Sequence, residues 1–245
     1  MGKLFGTDGI RGKAGEYPMT AEMAERVGRA VAQTFTGKGG RSKIIVGRDT
    51  RLSGPMLEAA LVAGISSTGT DACLAGVIPT PAVAFLASSV QAEAGIVISA
   101  SHNPYYDNGI KIFNHSGYKL TDEKEEEIEE LVLGGETVSS NTSAPAPGKI
   151  STDTGMIEKY IDSLNNTLSK NTSLKGLRVI LDCSNGATCR IAPELFSELG
   201  GQVEALGIQP DGKNINDGCG SEHPEALVEK VLGAKADLGL AFDGD

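Results

Sequence analysis

The stretch with the clearest chemical potential begins as an apolar run and then breaks into small polar side chains. Residues 94–98 form the run, and it is followed by Ser99, Ala100, Ser101, His102, Asn103 and Pro104. A short continuous apolar run is typical of a strand buried on both faces of a parallel sheet, and Asn-Pro is a turn signal. Ligands of open α/β sheets bind at the carboxyl ends of strands. The stretch therefore predicts a ligand-binding loop with two hydroxyls and an imidazole. Read alone, it also fits an ordinary serine-rich loop.

Positive charge near that loop would have to be gathered locally, because the formal net charge of the chain is −10. Lys111 follows the loop in Asn-Gly-Ile-Lys-Ile, where a turn pair leads into a further predicted strand. The other candidate cations for an anionic substrate are Arg11, Lys13, Arg48 and Arg51. The negative balance also argues against nucleic acid or an anionic membrane as a partner, since phosphate backbones require a basic face.

Two carboxylates end the sequence. Asp243 and Asp245 flank Gly244 directly after an apolar run, residues 237–242, which predicts a buried strand. Oxygen ligands of this kind suit hard divalent cations such as Mg²⁺, and a glycine between them lets the backbone bend so that both converge. An exposed Asp-Gly turn is the alternative interpretation. Because a domain does not naturally stop at such a point, we expect the chain to be part of a longer protein.

The glycine-rich start of the chain has two interpretations that the residues leave open. Residues 4–17 contain four glycines together with Arg11, a composition that excludes a helix. The stretch is either a flexible arm or a loop whose backbone N–H groups approach an anion, with Arg11 supplying charge.

Predicted strands and helices alternate along the rest of the chain. The strands are predicted at residues 43–47, 71–75, 94–98, 178–182, 202–206 and 237–242. The helices are predicted at residues 20–35, from 55 through 65, and at 79–88, 122–133, 154–170, 191–199 and 224–232. This order predicts mostly parallel mixed sheets sandwiched by helices. The glutamates of the helix at 122–133 are interpreted as a solvated face.

A change of composition divides the chain. Residues 134–148 are rich in Gly, Ser, Thr, Ala and Pro, as linkers are. We therefore predict two consecutive α/β domains, residues 1–148 with the serine loop and residues 149–245 with the acidic pair.

Several classes of protein lack support in the sequence. There is no phosphate-binding Gly-x-x-x-x-Gly-Lys-Ser/Thr loop, no Gly-x-Gly-x-x-Gly after a strand, and no zinc spacing of His or Cys. The four cysteines, Cys73, Cys183, Cys189 and Cys219, are expected to be buried reduced thiols. No signal-peptide core and no run long enough to span a bilayer is present, so we expect a cytoplasmic protein.

Taken together, these residues resemble the α-D-phosphohexomutase superfamily, and the likeness runs from residue 1 to residue 245. The stretches that carry it are Phe-Gly-Thr-Asp-Gly-Ile-Arg-Gly at 5–12, Gly-Arg-Asp-Thr-Arg at 47–51, the serine loop with its following strand at 99–111, and residues 182–187, 214–216 and 241–245. The first of these stretches resembles the branch of the superfamily that acts on glucosamine phosphates.

The resemblance implies the first two of four domains and an isomerase. Ser101 would carry a phosphate and pass it to glucosamine 6-phosphate, and the resulting glucosamine 1,6-bisphosphate would return its other phosphate to leave glucosamine 1-phosphate, a precursor for cell-wall synthesis. One Mg²⁺ would be held by the Ser101 phosphate, Asp243, Asp245 and a third aspartate that this sequence does not contain. Arg11, His102 and Lys111 match family positions for proton transfer and phosphate stabilisation.

Further expectations follow from the resemblance. The partner is a phosphosugar, the resemblance is compatible with a homodimer through the first domain, and residues 1–245 alone would be inactive. Mg²⁺ would bridge the two domains, and Lys111 would act as general base if burial or Arg11 lowered the pKa of its amine. The alternatives are a phosphoglucomutase or phosphomannomutase, a Mg²⁺-dependent phosphatase with an aspartate nucleophile, and an assembly module without turnover.

Overall fold

Two β-sheets organise the residues that the computed structural model describes, which are 4–35, 42–134 and 146–245. The strands are β1 (Ile10–Lys13), β2 (Lys43–Arg48), β3 (Asp71–Val77), β4 (Ala94–Ile98), β5 (Asp107–Asn114), β6 (Ile150–Thr152), β7 (Arg178–Asp182), β8 (Gln202–Leu206) and β9 (Leu238–Ala241). The helices are α1 (Ala21–Phe35), α2 (Gly54–Ser67), α3 (Thr80–Ser89), α4 (Asp122–Leu133), α5 (Met156–Thr167), α6 (Ile191–Glu198) and α7 (Glu225–Ala234). The predicted α/β class, with mostly parallel mixed sheets, is confirmed.

The larger sheet has six strands in the order β1-β5-β4-β2-β3-β6. Strands β4, β2, β3 and β6 are parallel, whereas β5 and β1 are antiparallel additions at one side. Strand β4 therefore has a hydrogen-bonded neighbour on each side, and all five of its residues are buried, as predicted.

Helices cover both faces of this sheet. Because successive strand residues point to opposite faces, each strand contributes side chains to two cores. Ile96 and Ile98 of β4 belong to the core under α1, α2 and α4, whereas Val97 belongs to the core under α3 and α5. Complete burial of one such side chain contributes roughly 1.5–3 kcal/mol. The two cores together fix the end of β4, from which the serine loop departs.

The smaller sheet has three parallel strands in the order β8-β7-β9. Its core is small, with Val179, Leu181, Cys183 and Ala192 buried. Strand β7 lies in the middle and is buried from Val179 to Asp182, whereas β8 and β9 are half-buried or exposed. The loop with the two carboxylates follows β9.

Two short strands were not predicted. Strand β1 lies inside the glycine-rich start and pairs antiparallel with β5, so this part of the stretch is neither a flexible arm nor a bare loop. Strand β6 follows the predicted linker but pairs with β3 of the larger sheet, and Met156 and Tyr160 of α5 join that sheet's core. Most of the predicted linker, residues 135–145, lies outside the described residues. The domain limits 1–148 and 149–245 stay a prediction.

Some side chains depart from their predicted setting. Glu125 of α4 is buried and pairs with Lys119 at 3.4 Å, so the acidic helix is not wholly solvated. Cys73 and Cys183 are buried thiols, whereas Cys189 and Cys219 are half-buried, and all four are free. Within the described ranges, none of the helices combines the length and the apolar character needed to cross a membrane.

Candidate active site

The loop after β4 (residues 99–104, the serine loop) and the loop after β9 (residues 242–245, the acidic loop) meet where the two strands end. The Ser101 hydroxyl donates to Asp243 Oδ1 at 2.9 Å, although 142 residues separate the two in sequence. Ser101 has φ 55°, a left-handed conformation that few non-glycine residues adopt. The sharp turn at this residue directs its hydroxyl out of the sheet end and towards the other loop.

Lys111 joins the same cluster from the neighbouring strand β5. Its Nζ lies 2.7 Å from Asp245 Oδ2 and 3.1 Å from Asp8 Oδ2, and only 9% of its side chain is exposed. Thr80, at the start of α3, donates its hydroxyl to Asp245 Oδ2 at 2.8 Å. The Asp245 side chain is only 10% exposed. It is held by Lys111 and Thr80, which belong to the larger sheet and its helices, here called the larger unit.

The electrostatics of both carboxylates follow from these contacts. Burial by itself raises the pKa of Asp245, but the Lys111 ammonium and the hydroxyls of Thr80 and Ser101 outweigh it, so the pKa lies below its ordinary value. Partial burial likewise raises the pKa of Asp8, and Lys111 and Arg11 together overcome it and lower the pKa. Both acids are therefore held as carboxylates at neutral pH.

Arg11 reaches the cluster from β1. Its Nη2 pairs with Asp8 Oδ2 at 2.7 Å, and its Nη1 lies 3.5 Å from the carbonyl oxygen of Ala100 in the serine loop. Its buried Nε has no hydrogen-bond partner within the described residues. The guanidinium thus lies beside the serine loop and retains capacity for an acceptor.

His102 approaches the acidic loop from its exposed side. Its Nδ1 lies 3.6 Å from Asp243 Oδ2, and about half of its side chain is exposed. His102 also lines a cavity of about 590 Å³ between the serine loop and residues 213–223. All the predicted site residues, Arg11, Ser101, His102, Lys111, Asp243 and Asp245, are therefore brought to one region, and their roles stay predictions.

The remaining predicted cations do not reach this cluster. Arg51 is completely buried and pairs with the buried Asp49, its Nε 2.8 Å from Asp49 Oδ2. Arg48 pairs with Glu58 at 3.3 Å, and Lys13 pairs with the exposed Glu16. Of the five cations expected to meet an anionic substrate, the structure places Arg11 and Lys111 at the site.

Arg51 instead shapes the serine loop from behind. Its Nη2 donates to the carbonyl oxygens of Ser101 at 2.7 Å and Asn103 at 2.8 Å, and its Nη1 donates to the carbonyl of Pro104. Burial raises the pKa of Asp49, although Arg51 and the Ser99 hydroxyl oppose that shift. The buried pair therefore fixes the geometry of the serine loop and does not neutralise the charge of a ligand.

The chemistry of the donor set suits a magnesium ion, but the set is incomplete. Asp243, Asp245 and the Ser101 hydroxyl offer oxygen atoms only, which hard cations prefer. Within the described residues, no group of three or more His, Cys, Asp or Glu side chains could hold a metal ion. The residues present therefore fit part of a Mg²⁺ site, and the other ligands would have to be phosphate oxygens, water or further carboxylates.

Three residues of this region were not singled out by sequence reasoning. Asp8 links Arg11 to Lys111, Thr80 holds Asp245, and Asn216 donates Nδ2 to the carbonyl oxygen of Ser101 at 2.9 Å. Ser99, one of the two hydroxyls that the sequence did single out, is buried and accepts the N–H of Ser101 at 3.0 Å. Asp8 and Asn216 lie in stretches that carried the family resemblance, and this was the one available signal.

Comparison with known proteins agrees with this arrangement. The family models for phosphoglucomutase/phosphomannomutase α/β/α domain I and domain II match residues 2–138 and 158–245. The fold and the paired loops thus define two phosphohexomutase-type α/β/α domains. The chain belongs to the phosphoglucomutase/phosphomannomutase family, as the sequence predicted.

Individual relatives within this family carry a more specific name. A protein named phosphoglucosamine mutase from Syntrophus aciditrophicus is 55% identical over 245 residues, which are 100% of this chain and 55% of the relative. One of the same name from Desulfotalea psychrophila is 51% identical, over 100% of this chain and 54% of the relative. The chain therefore spans about half the length of these curated relatives.

A solved structure shares the fold. The crystal structure of a phosphoglucomutase/phosphomannomutase family protein from Burkholderia thailandensis superposes with a TM-score of 0.80 at 28% identity. The match covers 99% of this chain and 52% of that one. The arrangement of both sheets is thus that of the family.

Proposed function

We propose that this chain provides the phosphoserine and metal-binding portions of a phosphoglucosamine mutase. The observation that carries the proposal is the 2.9 Å contact between the Ser101 hydroxyl and Asp243, beside the Lys111–Asp245 ion pair. Relatives named phosphoglucosamine mutase, at 51–55% identity, support glucosamine phosphates as the proposed substrates over other hexose phosphates. The substrate is an anionic phosphosugar, and the product is its positional isomer.

The reaction is a transfer of one phosphoryl group at a time. A sugar hydroxyl attacks the phosphorus held on Ser101, the new P–O bond forms to the sugar, and the bond to Ser101 Oγ breaks. The proton of the sugar hydroxyl must leave as the bond forms. The reverse step from the other end of glucosamine 1,6-bisphosphate restores the phosphoserine. Such chemistry asks the protein mainly for position and for neutralised charge.

Charge neutralisation falls to the cluster around Ser101. A phosphoserine carries about −1.5 to −2 charge at neutral pH. Next to Asp243, each pair of like unit charges at ~4 Å would cost about 4 kcal/mol at an effective dielectric of 20. Arg11 and Lys111 supply positive charge from the protein. A Mg²⁺ held by Asp243, Asp245 and phosphate oxygens would supply the remaining charge and bring the two loops together.

The roles of Lys111 and His102 in proton transfer stay proposals. Both contacts of the Lys111 amine are carboxylates, Asp8 and Asp245, which stabilise an ammonium. The geometry therefore supports Lys111 as a charge-neutralising group more than as the general base. His102, half exposed next to Asp243, is the alternative proton acceptor.

Phosphate loading tests the function. The chain is incubated with Mg²⁺ and, separately, the 1,6-bisphosphates of glucosamine, glucose and mannose, and phosphate is located by peptide mapping. We expect loading on Ser101, fastest from the glucosamine compound, and none in Ser101→Ala. Phosphate on Asp243 or Asp245, removed by hydroxylamine, would instead indicate the phosphatase with an aspartate nucleophile. Equal loading from all three compounds would contradict the glucosamine preference.

Two further parts of the proposal concern the chain as a whole. We propose that residues 1–245 do not complete the mutase cycle, because they span about half of the relatives' length. Detectable conversion of glucosamine 6-phosphate to glucosamine 1-phosphate by this chain would contradict that part. A homodimer through the first domain and a cytoplasmic location also stay predictions, and sedimentation of the purified chain tests the dimer.

A further inference from the structure

Asn216 joins the two halves of the site from the smaller sheet unit. Its Nδ2 donates to the carbonyl oxygen of Ser101 at 2.9 Å and lies 3.2 Å from that of Asn103. Its own backbone has φ 58°, and its N–H donates to the carbonyl of Ser184 at 2.9 Å. The backbone of Asn216 is thus anchored in the smaller unit, and its side-chain amide donates hydrogen bonds to the serine loop of the larger unit.

Arg51 of the larger unit donates to the same two carbonyl oxygens. The carbonyls of Ser101 and Asn103 therefore each accept one hydrogen bond from the larger unit and one from the smaller unit. Because Arg51 is completely buried and paired with Asp49, its side of this arrangement is fixed. Asn216 is the partner whose presence depends on how the smaller unit is docked.

Asn216 also touches the acidic loop. A Cβ built on Gly244 would lie 2.8 Å from Asn216 Nδ2 and 2.9 Å from the carbonyl oxygen of Ser101. Gly244 stands between the two carboxylates and is buried, so only a residue without a side chain lets the acidic loop come this close. The amide of Asn216 is therefore packed at the junction of the serine loop and the acidic loop.

We infer that Asn216 is a positioning residue that sets the approach of the Ser101 hydroxyl to Asp243. It does so through the Ser101 carbonyl, without touching the hydroxyl itself, and it makes the geometry of the serine loop dependent on the docking of the smaller unit. This inference deepens the proposed function and rests on it for its catalytic meaning, whereas the positioning itself is a property of the structure.

Three substitutions separate the amide from the backbone around it. Asn216→Gly keeps a residue that accepts φ 58° and removes the amide, and Asn216→Asp keeps the shape and replaces the donor with a charged acceptor. Asp217→Ala is the matched control, because Asp217 is the exposed next residue of the same loop. Native-state hydrogen exchange of peptides covering residues 99–106 is compared with that of α1 and α2, and thermal unfolding is measured beside it.

We expect exchange of the 99–106 peptides to rise about tenfold in Asn216→Gly and more in Asn216→Asp, with α1 and α2 unchanged and Asp217→Ala as the wild type. Unchanged exchange in Asn216→Gly would overturn the inference. An equal rise in all peptides, with a matching loss of thermal stability, would also overturn it, because the role would then be structural only.

The loading assay adds a readout that a purely structural role would not move. With glucosamine 1,6-bisphosphate as probe, the maximal rate of Ser101 phosphorylation should fall about tenfold in Asn216→Gly, while the half-saturating concentration stays within twofold. A change confined to the half-saturating concentration would contradict positioning. If the wild-type chain takes up no phosphate, the proposed function fails, and hydrogen exchange still decides the role of Asn216.

Discussion

The two strands that lead into the site are held very differently. Strand β4 has hydrogen-bonded neighbours on both sides, all of its residues are buried, and the loop after it rests on the buried Asp49–Arg51 pair. Within the described residues, β9 pairs with β7 alone, and its first residue, Leu238, is 39% exposed. The serine loop thus grows from the centre of a thick sheet, and the acidic loop from the edge of a thin one.

The difference indicates a division of labour between the loops. The serine loop takes most of its shape from its own unit. The backbone of the acidic loop is also bonded within its own unit, as by the Ala187 N–H to the carbonyl oxygen of Gly244 at 3.0 Å, but its two carboxylates are held by Lys111, Thr80 and Ser101 of the other unit. Regions with few buried contacts open locally at lower free energy than cores. We therefore expect the position of the acidic loop to depend on docking.

The largest expected effect comes from breaking the buried pair behind the serine loop. Arg51→Met leaves the carboxyl group of Asp49 buried without its partner, and this should lower the free energy of unfolding by about 3–5 kcal/mol. Arg190→Met is the control, since the Arg190–Glu158 pair is exposed and should cost no more than about 1 kcal/mol. Denaturant unfolding measures both, and equal losses would show that Arg51 does not brace the loop.

Core truncations in the two strands sharpen the same contrast. Ile96→Ala in β4 removes a completely buried side chain and should cost about 2–5 kcal/mol. Leu238→Ala in β9 should cost less than about 1 kcal/mol, because that side chain is already partly in water. The difference in midpoint of urea unfolding is the measurement. A larger loss in Leu238→Ala would contradict the asymmetry.

The ion pair between the units tests how the acidic loop is held. Lys111→Met removes the charged partner of Asp245 and Asp8, which should weaken the local hold on residues 237–245 by about 1.5–3 kcal/mol. Hydrogen exchange of that segment should rise while β4 stays protected. Lys13→Met, which breaks an exposed pair with Glu16, is the control and should leave both segments unchanged. Faster exchange in β4 would show that the serine loop has no independent support.

The smallest effect concerns the thiols of the smaller unit. Burial raises the pKa of Cys183 to about 12, and the pKa of Cys189 and of Cys219 to about 11. All three should therefore react slowly with iodoacetamide at pH 8, since only about one thousandth of a thiol with pKa 11 is ionised there.

The raised pKa values of these three thiols also predict how the free energy of unfolding changes with pH. Because the folded pKa values are raised, the stabilisation is complete below the unfolded value of 9.0 and is lost as the pH rises towards 11 or 12. Unfolding measured between pH 8 and pH 10.5 should show this decline. Fast alkylation of the folded chain at pH 8 would contradict the burial of these thiols.

Much of the fold could be predicted from the sequence because its strands are apolar runs. Strands β4, β7 and β8 and helix α4 lie at the predicted residues. Strand β1 could not be found in this way, because Ile-Arg-Gly-Lys has no strand pattern of its own and is extended only through its pairing with β5. The same holds for β6, which exists through three backbone pairings with β3.

The site residues also fall into those with a local sequence signal and those whose role follows only from tertiary contacts. Ser101, Lys111 and the two aspartates stood out because hydroxyls, amines and carboxylates follow predicted strands, and the family resemblance gathered them. Arg51 was misjudged as a ligand for an anion, because burial and its carbonyl partners follow only from tertiary structure. Asn216 was not singled out, since its contacts with the serine loop join residues more than 110 positions apart.

The measurement that tests the central claim most directly is the position of phosphate in the protein purified from the cells that produce it. Peptide mapping under mild conditions should place phosphate on Ser101, next to but not on the buried Ser99, and should leave Asp243 and Asp245 unmodified. Phosphate bound to either aspartate, or a Ser101 that is never phosphorylated in growing cells, would contradict the account.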